Sequence, residues 1–209
     1  MNKMKALWPH YLVVLLLSGG AACTTLKVLD YEGWNRDEWQ HPQQVVESLG
    51  IQKGGQIADI GSGGGYFTFR LEKSVSPGGT VFAVDLDEGL NDYVRQEALA
   101  RGLDNVQVIT AKPEDPLLPE AGIDLIFSSN TYHHIQNRAQ YFARARRYLR
   151  PGGSVAIVDF DNLHWISRLP GHWVARDQIL LEMTEAGDHL KREFDFLPRQ
   201  NFLIFETSD

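Results

Sequence analysis

Short apolar runs alternate with amphipathic segments along most of the chain. Five such runs predict buried strands, at Gln56–Ile60, Thr80–Val84, Val106–Ile109, Asp124–Ser128 and Val155–Asp159. Apolar residues at helical spacing predict helices over Pro42–Leu49, Tyr66–Ser74, Leu90–Arg101, Ala139–Leu149 and Arg176–Ala186. Because short apolar strands that alternate with helices form parallel sheets covered on both faces, the pattern predicts a three-layer α/β fold.

The last part of the chain has a different pattern. Two further strand-like runs, His189–Phe196 and Phe202–Glu206, flank the turn-forming segment 197–201. This arrangement is typical of a hairpin, so the last strand should run antiparallel to its neighbour. The sequence therefore predicts a mostly parallel seven-stranded sheet with an antiparallel C-terminal strand.

Residues 1–23 resemble a targeting segment more than part of the folded domain. Two lysines precede the apolar run 11–17, and small residues follow it up to Cys23. The apolar run is shorter than the roughly 20 residues that span a membrane. Small residues before Cys23 resemble the lipobox of bacterial lipoproteins, which implies a lipidated Cys23 and a membrane-anchored domain that faces the periplasm.

Two alternatives remain for this N-terminal segment. It is either retained or processed differently, or the start of the chain is assigned wrongly; without a functional signal the domain would be cytoplasmic. In every case we divide the chain into the signal-like segment 1–23, a linker and N-terminal extension 24–40, and one folded domain 41–209.

A glycine-rich loop follows the first predicted strand. Gly61, Gly63 and Gly65 let the backbone approach a ligand closely, and Asp59 precedes them by two residues. A dinucleotide fingerprint needs a glycine where this chain has Tyr66. An acid at Asp59 would also repel a pyrophosphate and attract a cation.

A second acid, Asp85, ends the second predicted strand. An acid at that position can hold both hydroxyls of a ribose. Together with Asp59, it suits a cofactor that has a ribose and a positive charge but no phosphate, as in S-adenosylmethionine. A glycine turn that binds another ligand or none, and an aspartate that only caps the next helix, are the structural alternatives.

Four segments, in this order, resemble the class I S-adenosylmethionine-dependent methyltransferases of the small-molecule type, which have a Rossmann-like fold. They are DIGSGGGYF (59–67), VFAVD (81–85), DLIFSSNTYHHI (124–135) and LRPGGSVAIVDF (149–160). The resemblance implies S-adenosylmethionine as the cofactor and a methyl transfer to a small-molecule acceptor.

The resemblance also implies roles for individual residues. Asp59 would stabilise the amino end of the methionine moiety, the backbone at Gly61 and Gly63 would pass beneath the cofactor, and Asp85 would bind the ribose. Further expected cofactor contacts are Ser62 and Gly65 in the loop, Asn130 after the fourth strand, and Asp115 at the adenine, with Glu114 as its alternative.

His133 and His134 are the candidate general bases, because an imidazole titrates near neutral pH. The structural alternative is that they open a helix and hydrogen-bond the backbone. The spacings of the seven histidines match no metal motif, so we predict no metal site.

Composition excludes several other function classes. One cysteine in 209 residues cannot form an intramolecular disulfide framework or a four-cysteine zinc site. A formal charge of −7 should repel a polyanion, so nucleic acid is an unexpected partner. A competing hypothesis is a membrane-anchored, non-catalytic binding module that keeps the methyltransferase fold. The sequence does not indicate the oligomeric state.

Overall fold

A computed structural model describes residues 35–161 and 172–207. The predicted signal segment, with its candidate lipidation site Cys23, and most of the predicted linker 24–40 lie outside these residues. Within the described ranges, no helix is both long enough and apolar enough to cross a membrane.

Seven strands form one sheet in the order β3-β2-β1-β4-β5-β7-β6. Strands β1 to β5 run parallel to one another, and β7 runs antiparallel to both β5 and β6. The strands are β1 (Gln56–Ile60), β2 (Thr80–Asp85), β3 (Val106–Thr110), β4 (Ile123–Ser129), β5 (Leu149–Phe160), β6 (Asp188–Phe194) and β7 (Gln200–Thr207). The predicted mixed sheet with an antiparallel C-terminal strand is confirmed.

Helices separate most of these strands. They are α1 (Arg36–Gln40), α2 (Pro42–Ser48), α3 (Thr68–Val75), α4 (Glu88–Ala100), α5 (Arg138–Ala145) and α6 (Arg176–Glu185), with short 3-10 helices at Tyr132–His134 and Arg146–Tyr148. Asp87 caps α4, because its side chain accepts hydrogen bonds from the backbone N–H groups of Gly89 and Leu90.

The region around Pro151-Gly152-Gly153, between the predicted helix Ala139–Leu149 and the predicted strand Val155–Asp159, differs from the prediction. The helix predicted to reach Leu149 ends at Ala145, and β5 begins at Leu149 rather than at Val155. Leu149 is buried and pairs with Ile123, and the register of β4 and β5 shifts between Ile123 and Leu125. The strand thus passes through the proline-glycine segment as an irregular stretch instead of starting after it.

The central strand β4 is buried on both faces of the sheet. Ile126 packs in one apolar cluster with Ile157 and Phe142, whereas its neighbour Phe127 packs in another with Val158. Alternate residues of a strand point to opposite faces, so this division is what a sheet covered on both sides requires.

The strand order reverses between β1 and β4. From β1 the chain builds outward through β2 and β3, and it then returns to add β4 and β5 on the other side. In open α/β sheets, ligands bind at the carboxyl ends of the strands where this reversal occurs. The topology therefore places the glycine loop and the segment after β4 on either side of one crevice.

Candidate active site

The glycine loop is fixed to the end of β2 by its backbone. The N–H groups of Gly61 and Ser62 both donate to the carbonyl oxygen of Val84, at 2.8 and 3.1 Å. Gly61 has a φ of +73°, and a Cβ there would lie 2.0 Å from Oγ1 of Thr131. Only glycine satisfies both constraints, so the loop and the segment after β4 approach each other directly at this point.

Gly63 has open space where Gly61 has a neighbour. Its φ is +54°, and no heavy atom beyond the adjoining residues lies within 4 Å of where its Cβ would be. Ser62, beside it, is buried, and its Oγ has no hydrogen-bond partner among the described residues. The loop thus leaves room for a ligand, and the hydroxyl of Ser62 beside this space is free to form a hydrogen bond with that ligand. Gly65 instead packs against the ring of Phe69, where a Cβ would lie 2.5 Å from the ring.

Asp85 connects the glycine loop to the end of β2. Its Oδ2 accepts the N–H of Gly63 at 2.9 Å, and its Oδ1 accepts the N–H of Asp87 at 3.0 Å. A carboxylate can accept about four hydrogen bonds, so each oxygen retains capacity for one more. Two such oxygens in a fixed orientation match the two hydroxyls of a ribose.

Asp59 lies beneath the loop and is only 2% exposed. The Oγ1 of Thr68 donates to its Oδ2 at 2.7 Å. Burial raises the pKa of Asp59 from 3.8 to about 6, and the charge of Asp85 adds to this, whereas the Thr68 hydrogen bond and the charge of Arg36 oppose it. A buried carboxylate that lacks full compensation favours a cationic ligand.

On the other side of the crevice, long-range hydrogen bonds hold the residues that follow β4. Asn130 has a φ of +55° and donates its N–H to the carbonyl oxygen of Val158, while its Oδ1 accepts from Nε2 of Gln200. One residue earlier, the Oγ of Ser129 accepts from Nε2 of the fully buried Gln40 at 3.0 Å. Asn130 therefore adjoins the crevice, with its side-chain oxygen already bonded to β7.

His133 is paired with Asp159, the penultimate residue of β5. Its Nδ1 lies 2.6 Å from Oδ1 of Asp159, and its backbone N–H donates to Oδ2 of the same carboxylate at 3.0 Å. The Asp159 side chain is fully buried and that of His133 is 4% exposed. Because a carboxylate accepts a proton from Nδ1–H, neutral His133 carries its proton there and leaves the Nε2 lone pair available.

The ring of His134 lies beside that of His133 at an interplanar angle of 48°, and both lie near His172. The ring centroids of His133 and His134 are 4.0 Å apart, and that of His172 is 5.9 and 6.0 Å from theirs. Burial and the neighbouring imidazoles of His133 and His172 lower the pKa of His134, against the opposing charge of Asp159. Both predicted histidines therefore lie together at the end of β4.

Asp115 has a different set of partners from the other predicted residues. Its carboxylate accepts hydrogen bonds from the hydroxyl of Tyr148 and from Arg147, both at 2.6 Å, and from the N–H of Leu117 at 3.0 Å. These bonds lower its pKa against the effect of burial. They attach the loop after β3 to the segment after α5, while the alternative adenine residue, Glu114, is exposed.

Sequence reasoning missed Asp159, His172, Gln200 and Gln40 as site residues. Asp159 had a visible signal, because it is an acid at the end of a predicted strand, as Asp85 is. His172 lies in a stretch of histidine and aromatic residues between the fifth strand and the next helix, whereas Gln40 and Gln200 carry no signal. The places of all three depend on how β7, α1 and the segment before α6 pack against the sheet.

Comparisons with known proteins agree with this geometry. Residues 58–157, just under half of the chain, match the family model described as a methyltransferase domain. A crystal structure of a SAM-dependent methyltransferase from Aquifex aeolicus superposes with a TM-score of 0.80 over 86% of this chain and 96% of that one, at 23% identity. The chain has the class I methyltransferase fold.

Two curated relatives show how far the methyltransferase similarity extends in sequence. The ubiquinone/menaquinone biosynthesis C-methyltransferase UbiE of Hahella chejuensis is 25% identical over 118 residues, which are 56% of this chain and 47% of that protein. The nocamycin O-methyltransferase of Saccharothrix syringae is 29% identical over 116 residues, 56% of this chain and 41% of that protein. The chain thus matches less than half the length of either relative.

The residues at the carboxyl ends of β1 and β2 fit the cofactor of this methyltransferase fold. Gly63 leaves a space that a side chain would fill, Ser62 has a buried hydroxyl without a partner, and Asp85 retains acceptor capacity. Asp59 supplies a negative charge that its neighbours compensate only in part, as suits a cationic ligand. Together these features are compatible with a cofactor that has a ribose and a positive charge.

Proposed function

We propose that this chain is an S-adenosylmethionine-dependent methyltransferase that acts on a small-molecule acceptor. The observation that carries the proposal is the pairing of Gly63 N–H with Asp85, beside an open space and across the crevice from the His133–Asp159 pair. A cofactor site and a candidate proton acceptor therefore border the same crevice.

On the cofactor side of the crevice, residues of this chain would bind and orient S-adenosylmethionine. Asp85 would hold the ribose hydroxyls, Asp59 would balance the amino group, and the backbone at Gly61 and Gly63 would pass beneath the cofactor. S-adenosylmethionine, when bound, supplies an activated methyl group on its sulfonium. The protein then contributes mainly by holding the methyl donor and the acceptor in the correct orientation, which is worth about 7–11 kcal/mol in well-oriented reactions.

On the acceptor side, His133 would remove a proton from the acceptor. Asp159 fixes the ring and its tautomer, so that Nε2 accepts the proton and the buried carboxylate stabilises the resulting imidazolium. General-base catalysis typically contributes 10²- to 10⁴-fold, about 3–5 kcal/mol. His134, which is exposed and has no such partner among the described residues, is the second candidate.

Two observations support a small acceptor. The curated relatives named above are, by their names, a quinone-biosynthesis C-methyltransferase and an antibiotic O-methyltransferase. The formal charge of −7 disfavours nucleic acid. Neither observation favours the alternative of a non-catalytic binding module, which the comparisons leave without support.

We further propose that residues 1–23 anchor the domain to a bacterial membrane through a lipidated Cys23, on the sequence pattern alone. The mass of the mature N-terminus from native membranes tests this directly. A diacylglyceryl group on Cys23 would support the proposal, whereas an unmodified or intact N-terminus would exclude it.

The test of the activity is a transfer assay with methyl-labelled S-adenosylmethionine and a small-molecule extract of the source cells. The full-length protein should transfer label into the low-mass fraction, and Asp85→Ala should not. His133→Ala should bind the cofactor normally and lose about 10²- to 10⁴-fold in turnover. Label transfer by Asp85→Ala at the rate of the unmodified protein would contradict the proposal.

A further inference from the structure

Three histidines form a cluster at the carboxyl end of β4, although the sequence predicts no metal site. One ring nitrogen from each of His133, His134 and His172 lies within 4.8 Å of the other two. His172 is far from the other two in sequence and reaches them from the segment before α6. The fold, not a local motif, assembles this histidine cluster.

We propose that the histidine cluster binds one zinc ion. Imidazole nitrogen is a preferred ligand of zinc, and three histidines with an open fourth position form the ligand set of one class of catalytic zinc sites. An open position is available here, because His134 and His172 are exposed.

Asp159 gives the cluster the second feature of such a site. Histidines that bind zinc usually donate their other ring N–H to a carboxylate or a carbonyl oxygen, which fixes the tautomer and raises the basicity of the ligand. The Nδ1 of His133 makes this contact with the buried carboxylate of Asp159 at 2.6 Å. His133 therefore presents Nε2 as a fixed ligand.

The other two ligands are free to adjust. Within residues 35–161 and 172–207, the side chains of His134 and His172 contact other imidazole rings, and no hydrogen bond holds either ring. Tetrahedral zinc, with bonds of about 2.0–2.1 Å, places its ligand atoms about 3.4 Å apart. Rotation of two exposed rings can close the present separation while Asp159 keeps His133 in place.

The inference rests on the proposed function where it concerns the acceptor. A metal ion lowers the pKa of a hydroxyl or thiol bound to it, so the open position suits an acceptor that transfers through oxygen or sulfur. His133 has one available lone pair and cannot serve as base and ligand together. In the zinc-loaded protein, a hydroxyl or thiol bound to zinc would therefore release its proton to solvent water instead of to His133. Its oxygen or sulfur would then accept the methyl group as the S–CH₃ bond of the sulfonium breaks and leaves a neutral thioether.

Calorimetric titration of the untagged, chelator-treated full chain with zinc tests the proposal without cofactor or acceptor. We expect one ion per chain. Asp159→Asn should weaken binding by about 10- to 100-fold, and loss of a ligand in His172→Ala or His134→Ala should weaken it more. The matched control is His189→Ala, whose imidazole pairs with Glu206 at the β6–β7 edge and should leave zinc affinity unchanged.

Cobalt(II) provides an independent readout of the ligands. The loaded protein should show the visible absorption of a tetrahedral or five-coordinate nitrogen site without a thiolate charge-transfer band, which separates this site from binding at Cys23. Absence of binding, or equal binding by His172→Ala, His134→Ala and the unmodified chain, would overturn the proposal. S-adenosylmethionine titration of the same variants monitors the cofactor site, so failure of zinc binding and failure of the proposed function are distinguishable.

Discussion

The two sides of the crevice are built in different ways. On the cofactor side, backbone N–H groups of the glycine loop donate the main hydrogen bonds, as from Gly63 to the carboxylate of Asp85 and from Gly61 to the carbonyl oxygen of Val84. On the acceptor side, side chains bond to side chains, as in His133 with Asp159, 26 residues apart, and Asn130 with Gln200, 70 residues apart. Backbone contacts fix a ligand that is common to a fold, whereas side-chain contacts can change with the acceptor.

The largest effect should come from breaking the buried pair on the acceptor side. His133→Ala leaves the buried carboxylate of Asp159 without the hydrogen bond from the imidazole, which should lower the free energy of unfolding by about 3 kcal/mol. His134→Ala, next to it and exposed, should change stability by less than about 0.5 kcal/mol.

Chemical denaturation in the presence of a chelator measures both variants under the same conditions. If His133→Ala were as stable as His134→Ala, the His133–Asp159 pair would not hold this side of the crevice together.

The next effect concerns the open space at Gly63. Gly63→Ala and Gly102→Ala place a Cβ at φ values of +54° and +68°, and neither would meet a heavy atom within 4 Å. Both should cost about 1–2 kcal/mol of stability. Only Gly63→Ala should also weaken S-adenosylmethionine binding, by at least about 100-fold, or roughly 3 kcal/mol.

Calorimetry with the two glycine variants separates backbone strain from occupation of the site. Equal cofactor affinity in both variants would show that the space at Gly63 is not part of the cofactor site.

A smaller effect should appear as a pH dependence on the cofactor side. The pKa of Asp59 is raised to about 6, and a cationic ligand favours its charged form, so cofactor affinity should fall as the pH drops below about 6. Between pH 7 and pH 5 the loss should approach tenfold, about 1.4 kcal/mol. Asp59→Asn, which does not titrate, should bind weakly with a flat profile.

The same carboxyl group affects stability with the opposite sign. Its folded-state pKa lies above its unfolded value of 3.8, so the stability contributed by the protonated form is complete below pH 3.8 and disappears as the pH rises through about 6. The difference is about 3 kcal/mol. Unfolding measured from pH 4 to pH 7 should show a larger loss in the unmodified chain than in Asp59→Asn, which keeps only the loss from Asp188, whose pKa burial also raises to about 6.

The smallest effect should come from Asp115. Asp115→Ala removes the acceptor of bonds from Tyr148, Arg147 and Leu117, which should lower stability by about 1 kcal/mol. Because those donors occupy its carboxylate, cofactor affinity should change by less than about twofold. A tenfold loss of S-adenosylmethionine affinity would instead support the adenine contact predicted from the sequence.

The difference between the two sides of the crevice also explains which residues could be predicted from the sequence. Asp59, the glycine loop and Asp85 belong to contiguous motifs at strand ends, and their positions follow once the strands are recognised. The mostly parallel sheet and its antiparallel last strand follow from the same pattern, whereas the order of the strands comes from the structure. The start of β5 was wrong, because proline and glycine at 151–153 are also compatible with an irregular strand that buries Leu149.

Residues of the acceptor side could be predicted only in part. His133 and His134 lie in a recognisable segment, but their partners Asp159 and His172 depend on tertiary packing. Gln40 and Gln200 are ordinary polar residues of a helix and a strand until the fold brings them to Ser129 and Asn130. Local patterns carry no information about such pairs.

Calorimetric titration of the full-length protein with S-adenosylmethionine tests cofactor binding, on which the proposed function depends. We predict one binding site per chain in the unmodified protein and at least about 100-fold weaker binding in Asp85→Ala, with the folded state of both checked by circular dichroism. Absence of binding to the folded, unmodified chain at millimolar cofactor would contradict the proposed function.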